Sequence, residues 1–118
     1  RGMHYQESPY GETKLVRCTK GSIYDVVVDL RKNSKTFKKW FGVILDSNKY
    51  TQLYIPEGIA HGFQTLEDNS DVFYQISEYH HPEYYNAVRW DDPVFNIEWP
   101  LQVSCISKKD ANINNFKL

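Results

Sequence analysis

The chain has little cysteine, no excess of either charge and no long apolar run. Cys18 and Cys105 are its two cysteines. A single possible pair, with no signal peptide, reads as two reduced thiols in the cytoplasm rather than as a disulfide framework. Lys and Arg number 14 against 15 Asp and Glu, a formal net charge of −1. A balance so close to neutral excludes the general electrostatic pull toward nucleic acid or an anionic membrane. No apolar stretch approaches membrane-spanning length, so no membrane span is expected. Phosphate-cradling glycine loops, a dinucleotide-binding glycine fingerprint, a nucleophile elbow and paired CxxC motifs are also missing.

What is present is an aromatic, β-rich chain. At 118 residues it forms one domain with room for a real core, and 15% of it is aromatic, including nine Tyr. Such content suits strands and sites that stack flat ligands. Short runs of strand character dominate: residues 14–18, 22–31, 40–45, 52–55, 60–66 and 72–79. Residues 84–89 read as a further strand or a loop, and a short helix is expected from near Ser107. Pro56-Glu57-Gly58 gives a tight turn, because Pro fixes φ and Gly tolerates positive φ. Even spacing of short strands predicts an all-β sandwich or barrel, in one domain spanning 1–118 with no internal repeat or linker. In the strand over 22–31, Tyr24, Val26, Val28 and Leu30 share one face. Asp25, Asp29 and Arg31 share the other with Val27, which is either a polar interior wall or a solvated face.

Each polar candidate has an ordinary reading beside a functional one. His4 alone is a hydrogen-bonded histidine near the start of the chain. His61 lies between Ala60 and Gly62, whose small side chains let backbone or ligand approach closely. Lys14 and Arg17 lie on opposite faces of their strand, and an inward Lys is costly unless it meets an anion. Tyr74 is either a core aromatic or a group in a cavity, and Asp110 is a helix cap, a solvated charge or a site carboxylate. Four histidines raise the question of a metal. His80 and His81 are adjacent and point apart on a strand, while His4 and His61 stand alone, so no metal site is expected.

Order and local context lift these residues above their separate readings. Arg1-Gly2-Met3-His4-Tyr5-Gln6 resembles the RGLHxQ motif of the dTDP-4-dehydrorhamnose 3,5-epimerases, the RmlC family. The likeness continues through Lys14-Leu15-Val16-Arg17-Cys18, Gly21, residues 25–31, residues 52–56 and Gly58. It runs on through Ala60-His61-Gly62-Phe63, Tyr74, Trp90-Asp91-Asp92-Pro93 and Ile97-Glu98-Trp99-Pro100.

The resemblance implies a cupin-like jelly-roll β-barrel (a double-stranded β-helix) that works as a homodimer, without metal or other cofactor. It implies epimerisation of a nucleotide-linked 4-keto-6-deoxy sugar at C3, C5 or both, in deoxysugar and polysaccharide biosynthesis. By the same resemblance His4 is the base, and Asp110, in Ser107-Lys108-Lys109-Asp110, orients it. Lys14 stabilises the enolate oxygen and Tyr74 returns a proton from the opposite face. Arg1, His61 and Gln6 contact the substrate. Asp25 is a second candidate partner for His4, since it is polar inside an apolar strand.

The chain also departs from the family. The family segment that precedes the RGxH motif has no counterpart here, and a fragment or processed numbering is the simpler explanation. Gln75 stands where the family often has Lys. His80 stands where it often has a second aromatic near the sugar, so substrate identity or the C3-versus-C5 choice is expected to differ. Three alternatives stay open: an epimerase for another 4-keto sugar such as a heptose, a non-catalytic sugar-nucleotide-binding jelly roll, and a metal-dependent cupin enzyme.

Overall fold

The computed structural model describes residues 1–117, which build two antiparallel sheets packed face to face. The strands are β1 (His4–Gln6), β2 (Lys14–Lys20), β3 (Ser22–Asp29) and β4 (Trp40–Asp46). They continue with β5 (Leu53–Ile55), β6 (Ile59–Thr65), β7 (Asp71–Ile76) and β8 (Tyr85–Ala87). The larger sheet has the order β4-β3-β6-β1-β8 and the smaller one β5-β2-β7. This is the two-sheet architecture of the expected cupin-like jelly roll. A 3-10 turn (Pro82–Tyr84) leads into β8, and a short helix α1 (Lys108–Ala111) follows late in the chain.

The central strand β3 is covered on both faces, which decides the question its sequence left open. Val26 and Val28 pack outward with Met3, Ala60, Val88 and Phe95, under a cover that includes Trp99 and Phe116. Ile23 packs inward with Val16, Cys18, Leu45 and Ile55, and Val27 joins that cluster. Asp25 and Asp29 are buried, so their face is an interior wall rather than a solvated one. Alternation places these residues on their two faces, and the second sheet is what makes the polar face an interior.

Several element ends differ from expectation. β3 stops at Asp29 rather than Arg31. The Asp29 carboxylate accepts hydrogen bonds from the backbone N–H and guanidinium of Arg31 and from the hydroxyls of Ser34 and Thr36, which turns the chain out of the sheet. These donors outweigh the effect of burial and hold the Asp29 carboxyl well below the usual carboxylate range. β7 stops at Ile76 rather than Tyr79. There the Ser77 N–H donates to the Thr13 carbonyl, and the Gln6 amide nitrogen donates to the Tyr79 carbonyl. His80 and His81 therefore lie in a loop, not on a strand. β8 is shorter than the expected stretch because pairing with β1 is what holds it extended, and β1 is three residues long. Cys18 lies buried in the interior and Cys105 is exposed, and both are free thiols.

Candidate active site

The two sheets leave a cavity of about 290 Å³ on the side where β7 faces β1 and β8. Register explains which side chains enter it. His4 on β1 lies directly opposite His61 on β6, and β6 in turn sets His61 opposite Val27 of β3. Residues opposite one another share a face, so both imidazoles point inward from the larger sheet. Lys14 and Tyr74 come from the smaller sheet, with Lys14 opposite Ile76 and Val16 opposite Tyr74. His4 and Tyr74 thus line one cavity from different sheets.

Close backbone approach makes this placement possible. A Cβ on Gly62 would come within 2.6 Å of the Met3 sulfur and 2.9 Å of the Gly2 Cα. Only glycine lets the chain leading into β1 lie against β6. The Arg1 carbonyl accepts from the Phe63 N–H there, which holds Arg1 at the cavity wall beside His4.

Each inward histidine has its own buried carboxylate. His4 Nε2 is 2.6 Å from Asp110 Oδ1, and Asp110 Oδ2 accepts from the Gly2 N–H at 3.2 Å. Asp110 reaches β1 because Ser107 caps α1, its hydroxyl accepting from the Asp110 N–H. Burial lowers the pKa of His4 and outweighs the opposing pull of Asp110. For Asp110, burial pushes upward, but the hydrogen bonds from His4 and Gly2 outweigh it and hold the carboxyl below its ordinary range. The pair is therefore a neutral imidazole beside an ionised carboxylate near neutral pH. With Nε2–H given to Asp110, Nδ1 keeps the lone pair, which is the state a base needs. His61 Nε2 is 2.7 Å from Asp25 Oδ1, and Asp25 Oδ2 is buried with no hydrogen-bond partner.

Lys14 is buried beside Glu12, with Nζ 3.4 Å from Oε1. Burial lowers the lysine pKa, and Glu12 opposes it. Tyr85 on β8 stands between two imidazoles, its ring 5.4 Å from His4 and 5.0 Å from His80. Burial raises its phenol to about 12, so it is a neutral hydroxyl on the cavity wall. Among the described residues no three His, Cys, Asp or Glu side chains converge as metal ligands. A larger groove, about 790 Å³, lies on the outer side of β1 and β8, and neither paired histidine lines it.

The sequence profile described as dTDP-4-dehydrorhamnose 3,5-epimerase matches residues 1–117. The chain belongs to the dTDP-4-dehydrorhamnose 3,5-epimerase family. It is 46% identical over 116 residues to the dTDP-4-dehydrorhamnose 3,5-epimerase of Shigella flexneri, covering 98% of this chain and 64% of that protein. It is 49% identical over 116 residues to the enzyme of that name from Methanothermobacter thermautotrophicus, covering 95% of this chain and 62% of that one. The chain thus spans a little under two thirds of the length of these relatives. Among solved structures, the Bacillus anthracis epimerase with TDP and PPi bound aligns with a TM-score of 0.95 at 42% identity, covering 98% of this chain and 66% of that one. The Legionella pneumophila epimerase in complex with dTDP-4-keto-L-rhamnose aligns with a TM-score of 0.91 at 41% identity, covering 98% and 61%.

Against the sequence expectations, the fold brings Arg1, His4, Lys14, His61, Tyr74 and His80 to one cavity and sets Asp110 behind His4. Two placements differ. Asp25 partners His61, not His4, because it lies two residues along β3 from Val27, on the same face and diagonal to His61. Gln6 is buried away from the cavity wall, and its amide is taken up by the backbone of Tyr10, Tyr79 and His81. It anchors the surrounding loops. Glu12, Glu78 and Tyr85 line the cavity and were not singled out from the sequence. Glu12 lies in the loop before β2, where alternation assigns no face.

Proposed function

We propose that this chain epimerises a nucleotide-linked 4-keto-6-deoxy sugar beside its ketone, without a cofactor. The observation that carries the reading is the buried His4–Asp110 pair at 2.6 Å, in a cavity whose other wall supplies Tyr74 and Lys14. A proton beside a ketone is only weakly acidic, so its removal needs a base and a stabilised enolate. His4 Nδ1 takes the proton, and Asp110 steadies the imidazolium that forms, as an aspartate does behind a catalytic histidine. The Lys14 ammonium faces the growing charge on the carbonyl oxygen. Inversion requires the proton to return from the other face, and Tyr74 is the acid on the opposing sheet. Arg1 suits the diphosphate, since its guanidinium donates as a fork. His61, held by Asp25, contacts the sugar. The homodimer and the cytoplasmic setting implied by the family resemblance belong to the same reading. Among the described residues no helix is long and apolar enough to cross a membrane.

The test is solvent exchange. In D₂O, a dTDP-4-keto-6-deoxy sugar should gain deuterium at C3, C5 or both, read by NMR, and His4→Ala should reduce the rate by about 10²–10⁴-fold. Exchange at the parent rate in His4→Ala would remove the assigned base. A second reading, a change of sugar or of epimerised carbon, is favoured by His80 at the cavity wall. Family structures include the 4-keto-6-deoxy sugar epimerase NovW and the 3'-monoepimerase ChmJ. Product analysis by NMR, carbon by carbon, distinguishes these outcomes.

A further inference from the structure

Lys14 sits where a positive charge is costly, and its surroundings are mostly unhelpful. Facing it are one full cation, Arg1, from the chain before β1, and three imidazoles, His4 on β1, His61 on β6 and His80 after β7. Tyr74 on β7 and Tyr85 on β8 bring phenol groups to the same cavity from different sheets. Three carboxylates remain. Asp25 on β3 is engaged by His61, and Glu78 follows β7 on the rim. Glu12 is the carboxylate in salt-bridge contact with the ammonium, and both side chains are buried.

Glu12 is also held in place by its loop. The Glu7 N–H donates to the Tyr84 carbonyl, and the Gln6 amide donates to the Tyr10 carbonyl. The Tyr10 ring stacks on His81 with centroids 3.6 Å apart. Just before β2 and just after β7, Thr13 and Ser77 exchange bonds, Thr13 N–H to the Ser77 hydroxyl and Ser77 N–H to the Thr13 carbonyl. A carboxylate on a segment fixed at both ends has little freedom to leave its partner.

We propose that Glu12 is a positioning residue of this site, whose carboxylate keeps the Lys14 ammonium charged and aimed at the substrate oxygen. The proposal rests on the epimerase reading for the identity of that oxygen. Without an adjacent anion, burial beside the Arg1 cation drives a lysine toward its neutral form, and a neutral amine stabilises an enolate poorly. Gln6 then matters to the site through Tyr10 and the loop that carries Glu12.

The test uses ¹⁵N-lysine-labelled protein, with the Lys14 signal assigned by its loss in Lys14→Met. Glu12→Gln keeps the shape and removes the charge, and Glu12→Asp keeps the charge. The Lys14 ammonium should titrate about one pH unit lower in Glu12→Gln than in the parent, the usual size for losing an opposite charge at this range. In Glu12→Asp it should stay near the parent. The alkaline limb of kcat/KM should move down with it in Glu12→Gln and recover in Glu12→Asp. Lys14 titrating alike in the parent and Glu12→Gln overturns the proposal, as does an equal fall in both variants. A parent without epimerase activity removes the epimerase reading instead, and the lysine titration still reports whether Glu12 governs Lys14.

Discussion

The two halves of the barrel interior are built from the same strands and do opposite things. Toward β4 and β5, the sheets close on Val16, Cys18, Ile23, Leu45 and Ile55. Toward β1, β7 and β8, the same β2 and β3 contribute Lys14 and Asp25, which join His4, His61 and Asp110 around a cavity. On β2 the change takes two residues, from Val16 to Lys14, and on β3 two residues, from Ile23 to Asp25. Close packing on one side supplies the stability that holds desolvated charges in register on the other. Burial of charge without partners is costly, and here almost every charge has one. Among the described residues, Asp25 Oδ2 is a buried oxygen without a hydrogen-bond partner, although Oδ1 of the same carboxylate meets His61.

The comparison predicts a crossed pair of effects, and the first two variants should break the halves separately. His4→Ala should cost the most in activity while the protein still unfolds cooperatively near the parent temperature. Leu45→Ala should cost about 2–5 kcal/mol of stability by urea unfolding, the range for emptying a buried leucine site. Its turnover per folded molecule should be unchanged. A Leu45→Ala protein that folds normally but loses turnover would show that the halves are not separable.

Asp110→Asn should have an intermediate effect, lowering the kcat/KM plateau by about a hundredfold. Its pH dependence has a definite sign. The imidazole must be neutral to act, and Asp110 raises its pKa against the burial that lowers it. Removing the carboxylate charge removes the raising influence, so the acid limb moves to lower pH. A limb that moves up instead would mean Asp110 is not acting on His4 as an ionised partner.

The smallest effect is expected at Asp29, a buried carboxylate of β3 whose side-chain partners all lie in the β3–β4 connection. Its folded pKa lies below its unfolded one. The stability it contributes is therefore present above the ordinary aspartate pKa and is lost as pH falls toward the folded value. Asp29→Asn should be less stable than the parent at neutral pH, and the two should converge between about pH 5 and pH 2. Turnover per folded molecule should not change, which sets Asp29 apart from Asp25 on the same strand.

Much of this division was legible in the chain. The existence of β2, β3, β4 and β6 was read from short strand-like runs, with ends off by one or two residues, and the all-β class follows from the spacing of turns. The buried Asp25 face stood as one of two readings, because alternation names a face without saying what covers it. β1 carried no periodic signal, since three residues cannot show a period, and pairing on both sides is what extends it. The union of His4 with Asp110 joins residues 106 apart in sequence. No local pattern encodes it, and family resemblance alone pointed there. Gln6 was read as a substrate contact from its motif, yet its buried amide meets three backbone groups. Glu12 and Tyr85 went unnoticed because one lies in a loop and the other in a strand too short to assign a face.

The central claim is that a base and an acid face each other from different sheets across one cavity. Tyr74→Phe, followed by NMR in D₂O with a dTDP-4-keto-6-deoxy sugar, tests it most directly. The account predicts that deuterium still enters beside the ketone, because His4 can remove a proton and return a deuteron on its own face, while the inverted sugar no longer accumulates. Inverted product forming in Tyr74→Phe at the parent rate would contradict it.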